Sequence, residues 1–92
     1  MKNTNNRKEV NWKFIDSAIE DVRDMIMQRI GEKGDGTFAS RHEIFGIVSE
    51  EYHELVDALT ENNNSYYSAE LIDVAVACIF GLACVKARTL DW

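Results

Sequence analysis

The sequence predicts an all-α fold, an antiparallel bundle of three main helices that is completed by oligomerisation. Three observations carry that expectation. Proline is absent, and three of the five glycines, Gly31, Gly34 and Gly36, fall in one short stretch. Elsewhere apolar residues recur every three or four positions, the period of a helix buried along one face. The last long segment is apolar on all sides, as suits a helix surrounded by others. With 92 residues, 46% of them hydrophobic, the chain makes one domain, 1–92, whose core would be small if it stood alone. Oligomerisation is therefore expected.

The formal net charge of -6 argues against nucleic acid or an anionic membrane as partner, since both are held largely by Lys and Arg. It leaves room for a nucleotide carried by metal ions. Lys2, Arg7 and Lys8 form a locally basic start without the apolar core of a secretory signal, so residues 1–7 are read as a mobile tail. The longest uncharged run, Val74 to Val85, has 12 residues, whereas spanning a bilayer takes roughly 20. Cys78 and Cys84 lie about 9 Å apart along one helix, too far for a bridge within it. They read as reduced core residues, which suggests a cytoplasmic protein.

Ile15, Ala18, Ile19, Val22, Met25, Ile26 and Ile30 predict a first amphipathic helix from about Glu9 to Ile30. Its outer face carries Asp16, Glu20, Arg23 and Asp24, and Trp12 and Phe14 suit a core or a partner interface, with a base-stacking platform as the alternative. Gly31 to Ala39 is loop chemistry. It lacks the preceding strand and the spacing of a phosphate-binding P-loop, so it reads as a connector. Phe38, between that flexible stretch and a helix start, is suitably placed to cover a base.

Ser40 and Glu43 fit a capping box, so a second helix starts at Arg41 and runs to about Thr60. At roughly 100° per residue, Ile44, Phe45, Val48, Tyr52, Leu55, Val56 and Leu59 fill one arc of about 120°. Glu51 falls about 20° outside that arc, Glu54 about 80° and Glu50 about 120°. Glu61 to Ser65 is a polar break, after which Asn64 or Ser65 can cap a third helix from about Tyr66 to Arg88. Gly46 and Gly81 fall inside predicted helices, each at a cost of about 1 kcal/mol relative to Ala, for which close helix approach would compensate. Trp92, in the tail after Thr89, could dock on the bundle.

Residues three apart on a helix are neighbours, so Glu51 with Glu54, and Glu70 with Asp73, each make a two-carboxylate claw. Two antiparallel helices joined at 61–65 would set the claws face to face, at matched distances from the turn. Four carboxylates gathered this way repel one another and take up protons unless a cation compensates. Hard oxygen donors at this density suit Mg²⁺, with Mn²⁺ possible. Solvated helix faces often carry Glu-x-x-Glu, and acids near a helix start also favour the macrodipole. What distinguishes this set is its matched spacing, its nearness to the core edge, and the lack of a Lys or Arg run beside it.

The pattern Glu50-Glu51-x-x-Glu54 followed by Glu70-x-x-Asp73 resembles the EExxE and ExxD signature of the MazG-like all-α nucleoside triphosphate pyrophosphohydrolases. Ser40-Arg41-His42-Glu43, continuing through Gly46, Val48 and Glu50, is similar to the lead-in of small bacterial and phage members. The resemblance covers about Phe38 to Val85. It implies Mg²⁺-dependent cleavage of a (deoxy)nucleoside triphosphate to monophosphate and pyrophosphate, in a house-cleaning role on noncanonical or surplus dNTPs. By motif, the ligands would be Glu51, Glu54, Glu70 and Asp73; Glu50, further out, is the candidate either to support those ligands or to act as a water-orienting base. His42 would touch substrate together with Phe38 and Arg41.

Many relatives continue into a further helix with Lys, Arg or Asn residues that grip the phosphates. Here Lys86 and Arg88 are the cations in the corresponding region, and Arg41 is the nearest alternative. Glu50-x-x-His53 is half of a ferritin-like di-iron motif, but the third helix offers no second Glu-x-x-His, so His53 reads as surface or interface. A contrasting expectation is a non-catalytic helical accessory protein that retains the acidic site.

Overall fold

The computed structural model describes residues 6–92, so most of the expected mobile tail, residues 1–5, lies outside the described residues. Three helices, α1 (Trp12–Lys33), α2 (Arg41–Thr60) and α3 (Asn64–Ala87), account for the regular structure, and there is no strand among the described residues. Both α1 and α2 pack on α3, and they do not pack directly on each other.

Local chemistry sets each boundary. The Asn11 side chain accepts from the Lys13 amide and starts α1 three residues later than the periodicity suggested. Gly31 does not stop the helix. It ends at Gly34, whose φ of 82° lies where side chains other than glycine are strained. The Ser40 half of the capping box forms at the head of α2, Ser40 Oγ accepting from the Glu43 amide, while Glu43 reaches one residue further back than the box requires and accepts from the Ala39 amide. Asn63 takes the cap of α3 by accepting from the Tyr66 amide, after Asn62 turns the chain at φ 51°. The cap therefore falls one residue before the two candidates, Asn64 and Ser65.

The inward face of α2 differs from the expected one. It carries Ile44, Ile47, Val48, Glu51, Leu55 and Ala58, while Phe45 is 75% exposed and Tyr52, Val56 and Leu59 are also exposed. The face is thus rotated by about 70° from the predicted arc. Small residues explain the rotation, because the seam is built on Ala58 of α2 with Ala77, Gly81 and Cys84 of α3, all buried. A Cβ on Gly81 would lie 2.8 Å from Ile44 Cγ2, so α2 and α3 approach too closely there for any other residue without a shift. Gly46 has nothing within 4 Å of such a Cβ, and the expected close approach does not occur at that position.

Cys84 is buried as expected, whereas Cys78 is exposed, and both are free thiols. By length and composition α3 is apolar enough to cross a membrane. Much of its apolar surface is bare, with Leu71, Ile79, Leu82 and Val85 exposed. Beyond α3, Arg88 closes the helix at φ 57°, and the tail returns to the α1–α2 linker. There the Asp91 amide donates to Ala39 O at 2.6 Å and the Arg41 amide to Trp92 O at 2.9 Å. The Trp92 ring lies against His42, tilted by 46° with centroids 4.6 Å apart, which docks the tryptophan on the head of α2 as expected.

Candidate metal centre

Glu51 and Glu54 lie one turn apart on α2, and Glu70 and Asp73 one turn apart on α3. The packing of the two helices brings one oxygen from each of the four to within 4.8 Å of one another. Around an octahedral Mg²⁺, opposite oxygens stand about 4.2 Å apart, so little closing motion separates this cluster from a ligand set. The donor chemistry also fits, being all hard carboxylate oxygen.

Two of the cluster's atoms, Glu51 Oε2 and Glu70 Oε2, are buried and have no hydrogen-bond partner. Buried polar atoms are ordinarily paired, so these two fit a site shaped for a positive guest. The Glu51 carboxyl is held above its ordinary pKa of 4.5, first by burial and then by the charges of Glu54, Asp73 and Glu70 and a hydrogen bond with Glu54. Glu70 is raised as well, by burial first and then by Asp73 and Glu54, with Arg29 pulling the other way.

The rotation of α2 accounts for this burial. Glu51, expected at the edge of the apolar arc, lies near the middle of the inward face, between Ile47, Val48 and Leu55.

A cleft of about 410 Å³ opens beside the cluster, which contributes Glu51 and Asp73 to its wall. From α1 it receives Ile26, Arg29, Ile30 and Lys33; from the linker, Gly34, Gly36, Thr37 and Phe38; from α3, Val76, Ala77 and Phe80. Phe38 meets Phe80 edge to face with ring centroids 5.1 Å apart, making one apolar end. Glu50, expected on the outer side of α2, is exposed but lines this cleft next to Glu51.

The cation beside the acids comes from α1. Arg29 Nη2 donates to Asp73 Oδ1 at 2.9 Å. This pair and the cleft-lining Lys33 escaped the sequence reading, which sought cations near the acidic motifs and in the last helix. A signal was present: Arg29 and Lys33 are four apart and interleave with Ile26 and Ile30, which places them along the inward edge of α1.

Arg41 and His42 stand outside the cleft. Arg41 is exposed and its amide binds the tail, while His42 lies against Trp92. Lys86 and Arg88 are exposed and do not line the cleft either. His53 is exposed and its Nδ1 pairs with Ser49 O at 2.8 Å. Compared with protein-family models, curated proteins and solved structures, the chain matches none.

Proposed function

We propose that this chain is a Mg²⁺-dependent nucleotide pyrophosphohydrolase that cleaves (deoxy)nucleoside triphosphates to monophosphate and pyrophosphate. The observation that carries the proposal is the convergence of four carboxylates, two with buried unpartnered oxygens, at the wall of a cleft that also holds basic and aromatic groups. The order and spacing of the acids, Glu50-Glu51-x-x-Glu54 and Glu70-x-x-Asp73, agree with the MazG-like pattern.

In this proposal Glu51, Glu54, Glu70 and Asp73 hold the cation. The bound cation supplies Lewis-acid charge for the phosphate oxygens and acidifies water. Arg29 and Lys33 face the phosphates from α1, answering the shortage of cations noted in α3. Phe38 and Phe80 wall the base, whose flat face suits aromatic contact. Glu50 accepts a proton from the attacking water. That water's oxygen bonds to the α-phosphorus, the bond from α-phosphorus to bridging oxygen breaks, and pyrophosphate leaves.

The proposal includes an antiparallel pairing of α2 and α3 and a homodimer or homotetramer. The exposed Phe45, Tyr52, Val56 and Leu59 on α2, and Ile79, Leu82 and Val85 on α3, supply apolar surface for the association. On the same ground the bare face of α3 is read as facing a further copy rather than lipid. A cytoplasmic setting agrees with the free thiols.

The test is pyrophosphate release from a panel of dNTPs with Mg²⁺, run against a Glu54→Ala variant. Release that the variant lowers by about 10²-fold or more, on the scale of an electrostatic contribution to a transition state, supports the proposal. Release no greater than the variant's overturns it in favour of a non-catalytic helical protein.

A further inference from the structure

Arg29 bonds Asp73 across the gap between α1 and α3 at 2.9 Å, and its side chain also lines the cleft. Asp73 is one of the four converging carboxylates. A divalent ion among such oxygens sits about 2.1 Å from each, which would bring it within about 5 Å of the guanidinium while that bond persisted. Two cations so close repel each other. The guanidinium gains another anion to bind once phosphate enters the cleft.

We infer that Arg29 is an exchangeable counter-ion. It holds Asp73 while the cluster lacks a cation, then yields Asp73 to the cation and turns to a phosphate oxygen when metal and polyphosphate arrive together. The phosphate half of this inference rests on the pyrophosphohydrolase proposal. The planar fork of Arg suits carboxylate and phosphate alike. At 36% side-chain exposure, Arg29 has solvent-side room to change partner. Metal alone therefore binds against the guanidinium, while the metal complex of a triphosphate binds with its help. The rival role, a fixed support that orients Asp73 as a ligand, makes the opposite prediction for metal alone.

The experiment measures Mn²⁺ binding by the paramagnetic resonance of the free ion, and separately the binding of the preformed Mn²⁺ complex of a nonhydrolysable dNTP. Wild type is compared with Arg29→Gln and Arg29→Lys. The expected result is that Arg29→Gln binds Mn²⁺ about 5-fold tighter or more, and binds the nucleotide complex about 5-fold weaker or more, the low end of coupling between sites. Arg29→Lys, which keeps the charge, should stay closer to wild type in both.

Equal or weaker Mn²⁺ binding by Arg29→Gln overturns the exchange and leaves the hydrolase proposal standing. Tighter Mn²⁺ binding with unchanged binding of the nucleotide complex also overturns it, because simple repulsion would then suffice. Failure of every protein to bind Mn²⁺ overturns both readings together.

Discussion

At the scale of single residues, the decisive feature is carboxylate charge held where solvent reaches it poorly. Glu51 and Glu70 both have raised pKa values in the folded chain, so the native state binds more protons than the unfolded state over the interval just above their ordinary value of 4.5. Where the native state binds more protons, stability falls as pH rises. The metal-free protein should therefore melt at higher temperature as pH is lowered through the interval just above 4.5. Saturating Mg²⁺ should raise the melting temperature at neutral pH and flatten that slope. A melting temperature indifferent to Mg²⁺ would leave the acids as an ordinary polar cluster.

The four ligand candidates were legible in the sequence because spacing on one helix is a local property. Their mutual approach depended only on a short turn. What could not be read from Glu51 itself was its depth, because that is set by Ala58 and by the residues of α3 opposite. Arg29 was harder still. Its partner lies 44 positions away, and no local period links the two.

At the scale of elements, α2 shows how backbone proximity can override side-chain hydrophobicity. A seam of Ala58, Ala77, Gly81 and Cys84 lets two helices approach closely. Phe45, Tyr52, Val56 and Leu59 of α2 are then displaced to its flank, although hydrophobic periodicity alone places them on the inward arc. The two helical glycines should respond with opposite signs. Gly81→Ala meets Ile44 Cγ2 at 2.8 Å, on a β-branched side chain with little rotamer freedom, and should destabilise by about 1–3 kcal/mol. Gly46→Ala meets nothing within 4 Å and should stabilise by about 0.5–1 kcal/mol through helix propensity. Chemical denaturation of the two variants measures both, and equal effects would contradict the seam.

Helix extents followed from local chemistry where a cap is written in adjacent residues. Ser40 and Glu43 mark the start of α2 in this way, although Glu43 takes the Ala39 amide and not that of Ser40. The start of α3 was less legible because Asn62, Asn63 and Asn64 are chemically alike. Only the turn geometry at Asn62 selects Asn63 as the cap.

At the scale of the molecule, the chain is short of interior. Among the described residues the buried apolar ones are Ala58, Ala77 and Cys84, and no large side chain is fully buried. The accessible surface is 7641 Å², whereas a folded monomer of 10.5 kDa exposes about 5,400 Å². Even if the eleven residues before α1 are assigned the full exposure of an unfolded chain, about 900 Å² of the excess remains. A standard interface buries about 800 Å² per partner, so the excess is of the right size for one. Sedimentation equilibrium at micromolar protein should give at least twice the chain mass of 10.5 kDa. Leu82→Glu, on the bare side of α3, should shift the protein toward monomer. A wild-type monomer would contradict the expected assembly.

The missing contact between α1 and α2 has a mechanical consequence. One wall of the cleft is attached to α3 alone, while the wall opposite belongs to a helix pair locked at Gly81. Stiffness is therefore unequal across the opening. In the proposed reading the α1 wall, which carries Arg29 and Lys33, would be the more compliant jaw, able to follow guests of different girth. The Phe38–Phe80 end, pinned by the tail through Ala39 and Arg41, is the rigid gauge. Discrimination by size would then fall on whatever lies against those two rings, and tolerance on whatever Arg29 and Lys33 reach.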